Sequence, residues 1–280
     1  DPATHPDPSR IIPGDAAANL WTGTFLAADR LPHSHGGTRG YLVSANNDPW
    51  GFTADGDTSN DPFYYGTWYA PGERSHRVES ELARLIATGT PLTVADMQAL
   101  QTDTHSPVAD ELVPILDTTF SHVDTDASLA SYRGRADLAT LVAALDGWDH
   151  HFDRSSSAAV IFEGFEHFLA RRALSDDIES AAFDATFSSS PIYVLKLLVN
   201  TLEHKYPGAD AFLQGGADAL VMASLDDTAS WLTTRFGGSD PSMYTWGAIH
   251  GARFDNDYGH LLDGGFVATS GGDDTVSVSQ

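Results

Sequence analysis

Hydrophobic and polar positions follow three successive patterns along the chain. The opening "DPATHPDPSRIIPGD" places four prolines within its first thirteen residues, a density that favours an extended arm over a helix or a central strand. From Leu20 to Phe52 short apolar runs are broken by glycine, with "LPHSHGGTRG" read as a loop and "YLVSA" as the clearest strand. "TADGDTSNDP" reads as a polar loop ahead of the aromatic run "FYYGTWY", whose Phe63, Tyr64, Tyr65, Trp68 and Tyr69 suit a core better than a pocket lining.

From about Val78 to Phe236 the periodicity turns helical. Val78, Leu82, Leu85 and Ile86 form one apolar stripe that Gly89 closes. Thr93 with Asp96 three residues on predicts a capped start for a helix carrying Met97 and Leu100, and Ser106 before Pro107 predicts another. Leu138, Leu141, Val142 and Leu145 fall at i, i+3, i+4 and i+7, and "AAVIFEGFEHFLARRAL" and "PIYVLKLLVNTLE" are apolar enough for buried helices. A further helix in "ADALVMASLDDTASWLTTRFGG" ends near Gly237, and "GGFVATSGGDDTVSVSQ" returns to strand and turn signals. The expected organisation is one incomplete α+β domain over 1–280: a β-rich part (1–77), a mainly helical part (78–237) and a return to β (238–280). Both ends read as cut from something larger.

Composition narrows the partners. The 280 residues carry 39 acidic against 15 basic side chains, a formal charge of −24, so a phosphate backbone or an anionic membrane would repel the chain. Nucleic acid is excluded as a partner on that ground. Lys196 and Lys205 are the only lysines among abundant Asp, Ala, Thr and Gly, a bias suited to a salt-adapted protein: near molar salt the Debye length falls to about 3 Å and self-repulsion is screened. With no cysteine, disulfides and thiolate chemistry are excluded. No apolar stretch approaches the length of a membrane span, and residues 1–20 lack the pattern of a signal peptide.

The zinc-protease helix, the phosphate loop and the G-x-S-x-G elbow are all absent. Among twelve histidines, His33 and His35 in "PHSHGG", and His150 and His151 between Asp149 and Asp153, invite metal readings, but spacing fixes no third ligand at either place. "DGDTSND" sets Asp55, Asp57, Ser59 and Asp61 at alternate positions, yet departs from the EF-hand loop, with Asn60 where its glycine belongs and Gly66 where its glutamate belongs. "GYLVSANNDPWGF" raises a different question, because Asn46 and Asn47 close an apolar run. Either an amide there is aimed at an oxyanion, or it bonds its own backbone in a turn.

The order of "RIIPGD", "WTGTFLAADRLPH", "GYLVSANNDP", "DPFYYGTWYAPGERSHRVESEL" and "LTVADMQALQTDTHSPVADELVPIL" resembles the middle of the β subunit of the penicillin acylase family of N-terminal-nucleophile amide hydrolases. "LDGWDHHFDRSSSAAVIFEGFEHFLARRAL" and "WLTTRFGGSDPSMYTWGAIHGARF" resemble later family segments, in the same order. The resemblance implies part of a four-layer αββα fold with a large helical portion, cut from an autoprocessed precursor. It also implies a catalytic serine at the start of the β subunit, whose own α-amine, with a pKa of about 7.7 to 8, acts as base.

By the same resemblance Asn46 donates to the oxyanion, while Asn47 braces the turn. Arg77 matches an arginine near the active centre, with Arg74 a close rival and a surface ion pair the plain alternative for either. Asp61 matches an aspartate that ligates a structural calcium ion; the chemistry itself needs no cofactor. Asp1 is not a hydroxyl residue, so the serine is expected outside this sequence, on other segments of the same precursor: the α subunit and the nucleophile-bearing part of β. The expected activity is hydrolysis of an N-acyl small molecule of penicillin, cephalosporin, acyl-homoserine lactone or lipopeptide type, and exported enzymes are common in the family. The competing reading is a non-catalytic structural or binding protein that keeps the fold without the nucleophile.

Overall fold

Most of the helix starts announced by capping residues form as written, because a cap satisfies backbone N–H groups that no helical carbonyl can reach. The structure, a computed structural model, describes residues 11–20, 23–34, 37–51, 65–66, 69–187, 192–202, 213, 215–256, 258 and 263–278. The chain divides into two compact units, Asp1–Pro91 and Leu92–Gln280.

In the first unit, two short 3₁₀ turns, Ala17–Asn19 and Ala28–Arg30, precede helix α1, Glu73–Ala87. Gly72 leads into α1 with φ 110°, and Gly89 closes it at φ 69°, its N–H bonding the carbonyl of Ile86 at 3.0 Å. Leu82 is buried, while Ile86, on the same stripe, keeps substantial exposure. The run Tyr41–Ala45, read as a strand, has no ladder partner among the described residues; only an isolated parallel bridge, Asn47 with Ala70, follows it. A strand gains its stability from a neighbouring backbone, and this segment is held instead by side chains. Arg39 pairs with Glu79 of α1, and the Tyr41 hydroxyl donates to the same carboxylate at 3.4 Å.

The second unit is helical around one apolar core. It comprises α2 (Val94–Gln101), α3 (Pro107–Ser121), α4 (Ala136–Asp146), α5 (Ala158–Ala173), α6 (Ser180–Thr186), α7 (Ile192–Leu202) and α8 (Ala217–Phe236). Thr93 and Asp96 form the reciprocal cap of α2, with Asp96 N–H donating to Thr93 Oγ1 at 3.2 Å and Thr93 N–H to Asp96 Oδ2 at 2.8 Å. Ser106 caps α3 by accepting the Ala109 N–H at 2.9 Å. The apolar stripe of α4 is buried at all four positions, Leu138, Leu141, Val142 and Leu145. α8 ends where Gly237 takes φ 89° and bonds Thr233 O at 2.9 Å.

α5 is the centre of this unit. Val160, Ile161, Phe162, Phe165, Leu169 and Ala170 are all buried, so helices must cover it on several sides, and α4, α7 and α8 pack on it. The contact with α8 is the most extensive and is made possible by Gly164, where an added Cβ would lie 3.0 Å from Thr228 Cγ2 and 3.1 Å from the Trp231 ring.

Of the sheet content implied by the resemblance, the described residues hold one two-stranded antiparallel sheet, β1 (Gly251–Arg253) and β2 (Phe266–Ala268), in register Gly251 to Ala268. Gly251 has no alternative there, since a Cβ would sit 2.3 Å from the Val267 carbonyl oxygen. Phe254, Phe266 and Val267 are exposed on this hairpin. No helix among the described residues is long and apolar enough to cross a membrane.

Gly164→Val should destabilise the second unit by about 1–3 kcal/mol, because a branched side chain forces α5 and α8 apart. A fall in the denaturant midpoint with an unchanged slope is the expected reading.

Candidate functional site

The first unit brings the double asparagine and the start of α1 together. Ala70 N–H donates to Asn46 O at 2.7 Å. Asn46 itself lies in the left-handed region at φ 63°, a conformation that asparagine tolerates better than any branched residue. Asn47 ties the turn down: its Oδ1 accepts the Ala45 N–H at 3.1 Å and its Nδ2 donates to Asp48 O at 3.3 Å. Asp48 Oδ1 then accepts the Trp50 N–H at 2.9 Å, closing the turn on its far side.

The two asparagines therefore divide the work. Asn47 spends its amide on backbone, whereas the side chain of Asn46 faces outward and is exposed. Its Oδ1 accepts from Arg74 Nη2 at 2.7 Å, and the same nitrogen donates to Ala45 O at 3.1 Å. A guanidinium only donates, so the amide atom facing it is the oxygen, and the Nδ2 hydrogens point the other way. That nitrogen donates to no protein group among the described residues. The Arg74 charge also draws electron density toward Oδ1, which strengthens Nδ2–H as a donor. The result is an oriented, polarised donor at the surface of a rigid turn, the chemistry needed to meet a developing negative oxygen.

Arg77, one turn further along α1, pairs with Glu81 at 3.3 Å, and Glu81 also accepts from Arg84 at 2.7 and 2.9 Å. Arg74 is thus the arginine joined to Asn46. The sequence held a clue, since Arg77 and Glu81 are spaced i, i+4 and ready to pair along a helix face, which leaves Arg74 for a tertiary role. Asp61, with Asp55, Asp57 and Ser59, lies outside the described residues, as do His35, Phe63, Tyr64 and Trp68. Tyr65 donates its hydroxyl to Arg30 O, and its ring stands 5.8 Å from that of Trp50.

The histidine-rich stretch before α5 forms a clamp rather than a metal cage. His105 Nε2 and His150 Nδ1 lie 2.8 and 2.6 Å from the two oxygens of Asp110, and His151 Nδ1 lies 3.1 Å from Thr104 Oγ1. Burial pushes the Asp110 carboxyl up, but the hydrogen bonds from His150 and His105 outweigh it and hold the group below its usual range. His150 reaches this position with φ 60°. Among the described residues no group of three or more His, Asp or Glu side chains is arranged to hold a metal ion.

A comparison with known families matches residues 2–280 to the family described as penicillin amidase.

Replacing Arg74 with alanine should shift the side-chain amide NMR resonances of Asn46, whereas Arg77→Ala should leave them in place. The opposite pattern would make Arg77 the partner of the amide.

Proposed function

The chain belongs to the penicillin amidase family, and we propose that it forms the oxyanion-binding part of an amide hydrolase acting on N-acyl small molecules. The observation that carries this reading is the Asn46 amide, its oxygen held by Arg74 at 2.7 Å while its nitrogen donates to no protein group among the described residues. A purely structural asparagine would be expected to use both ends on protein, as Asn47 does.

In the proposed reaction a serine hydroxyl, on a segment of the same precursor outside these 280 residues, adds to the amide carbonyl carbon. The serine's own α-amine takes the hydroxyl proton; with a pKa of about 7.7 to 8 it is poised to do so near neutrality. Negative charge then gathers on the former carbonyl oxygen, where Asn46 Nδ2–H donates more strongly than it does to the neutral amide. That difference between ground state and transition state is what lowers the barrier. Collapse breaks the C–N bond as the α-ammonium returns its proton to the leaving amine, and water releases the acyl group by the same path. Arg74 positions Asn46 and need not touch substrate. Penicillins, cephalosporins, acyl-homoserine lactones and lipopeptides are the N-acyl classes that fit this reading.

In the complete enzyme Asn46→Ala should lower kcat by about 10²- to 10³-fold with little change in KM, the loss expected for one oxyanion donor. Asn46→Gly should do the same while keeping the left-handed turn, which separates lost chemistry from lost structure. Unchanged kcat in both variants would remove Asn46 from the reaction. A native preparation with no companion chain beginning in serine, and no turnover, would favour a binding role instead.

A further inference from the structure

Beyond their close contact at Gly164, α5 and α8 border a surface cleft of about 510 Å³, which the start of α6 also lines. That volume lies in the range of small-molecule sites. The cleft follows from the periodicity of both helices. Phe168, Arg171 and Arg172 fall at i, i+3 and i+4 along α5, and Asp227, Ser230 and Trp231 at the same spacing along α8, so each set shares one helix face.

The larger of the two rings is braced. Trp231 rests against Gly164, where an added Cβ would lie 3.1 Å from its Cε3 and Cζ3, and meets Phe236 edge-on at 5.9 Å. Little ordering cost is left for a ligand that packs on it.

Asp227 is the one carboxylate of the lining, and it is engaged. Arg172 donates to both of its oxygens through Nε and Nη2, the latter at 2.9 Å. Asp226, its neighbour on α8, accepts from Arg135 at 2.8 Å. Arg171 is held far less firmly: its ion pair with Asp184 spans 3.5 Å, the outer limit of a hydrogen bond, and its side chain is 36% exposed. Among the described residues, the hydroxyls of Ser180 and Ser230 and the indole N–H of Trp231 bond no protein group.

What the lining has to spare is therefore donors, with one weakly paired positive charge among them. Donors of this kind suit an acceptor-rich anion, and the planar guanidinium fork matches a carboxylate. A neutral polyol would leave that charge unanswered, and a phosphate dianion would make no use of the rings. In a chain of net charge −24 a bare anion gains nothing at long range, so an apolar body must supply part of the affinity. We propose that this cleft binds a small organic carboxylate with an apolar ring, its carboxylate on Arg171 beside Ser180 and Ser230 and its ring along Phe168 and Trp231. The proposal is independent of the amide-hydrolase reading, because the cleft lies wholly in the second unit.

The test is an NMR titration of the full chain with benzoate at high, fixed ionic strength. It follows the indole N–H resonance of Trp231, assigned with Trp231→Phe, and the side-chain amide of Asn46. Benzyl alcohol and acetate serve as the uncharged and ring-free controls. Benzoate should give a saturable shift at Trp231, and neither control should do so at the same concentrations. Arg171→Gln should weaken benzoate binding by about tenfold or more, whereas Arg84→Gln, the same loss of charge outside the cleft, should leave it unchanged. Absence of a saturable Trp231 shift in the native chain would overturn the proposal without relying on any variant, as would a shift confined to Asn46. Unchanged affinity in Arg171→Gln would overturn the role of the guanidinium, and an equal response to benzyl alcohol or to acetate would overturn the ligand class, leaving an apolar slot or an adventitious ion only.

Discussion

The second unit depends on the near-complete burial of α5. A helix that is apolar on nearly every side has no face to offer water, so its neighbours are dictated by the need to cover it. Gly164 sets how near α8 approaches, and Trp148, Phe152, Phe162 and Trp246 close one end through edge-on and tilted ring contacts at 5.1 to 5.5 Å. Into this apolar setting the sequence writes two glutamates, Glu163 and Glu166, the second of them buried.

In the first unit the governing arrangement is polar and exposed. An unpaired amide donor is costly inside a protein but cheap at the surface, where water satisfies it until a better acceptor arrives. Asn46 uses that allowance. Its backbone lies in a left-handed turn, its oxygen is held by Arg74, and among the described residues only its nitrogen is left to choose a partner. Rigidity on one side and freedom on the other is the combination a pre-organised donor requires. Glu79 supports the same segment by binding Arg39 and Tyr41, so one helix supplies both the positioning cation and the anchor.

What was legible in the sequence was what depends on near neighbours. The Thr93 and Asp96 cap, the Ser106 cap with Pro107, the α4 stripe and the glycine stop at Gly237 are each decided within a few residues, and each forms as read. Features decided at long range were not legible. Tyr41–Ala45 carries a strand's composition, but whether a strand forms depends on a partner backbone that the composition does not mention. Which arginine meets the Asn46 amide is decided by a contact spanning 28 residues. The hydrogen bond from Ser106 to Asp274 joins residues 168 positions apart, and nothing local to either announces it.

The small hairpin carries a consequence for behaviour in bulk solution. β1 and β2 are three residues each, so among the described residues each strand leaves an outer edge of backbone donors and acceptors, flanked by exposed Phe254, Phe266 and Val267. Such an edge is a template for pairing with another molecule. In dilute buffer the charge of −24 keeps copies apart, but raising the salt screens that repulsion while strengthening apolar attraction. Colloidal stability of the isolated chain is thus a contest between its net charge and the open edges of this hairpin, and the ionic strength of the medium decides which prevails.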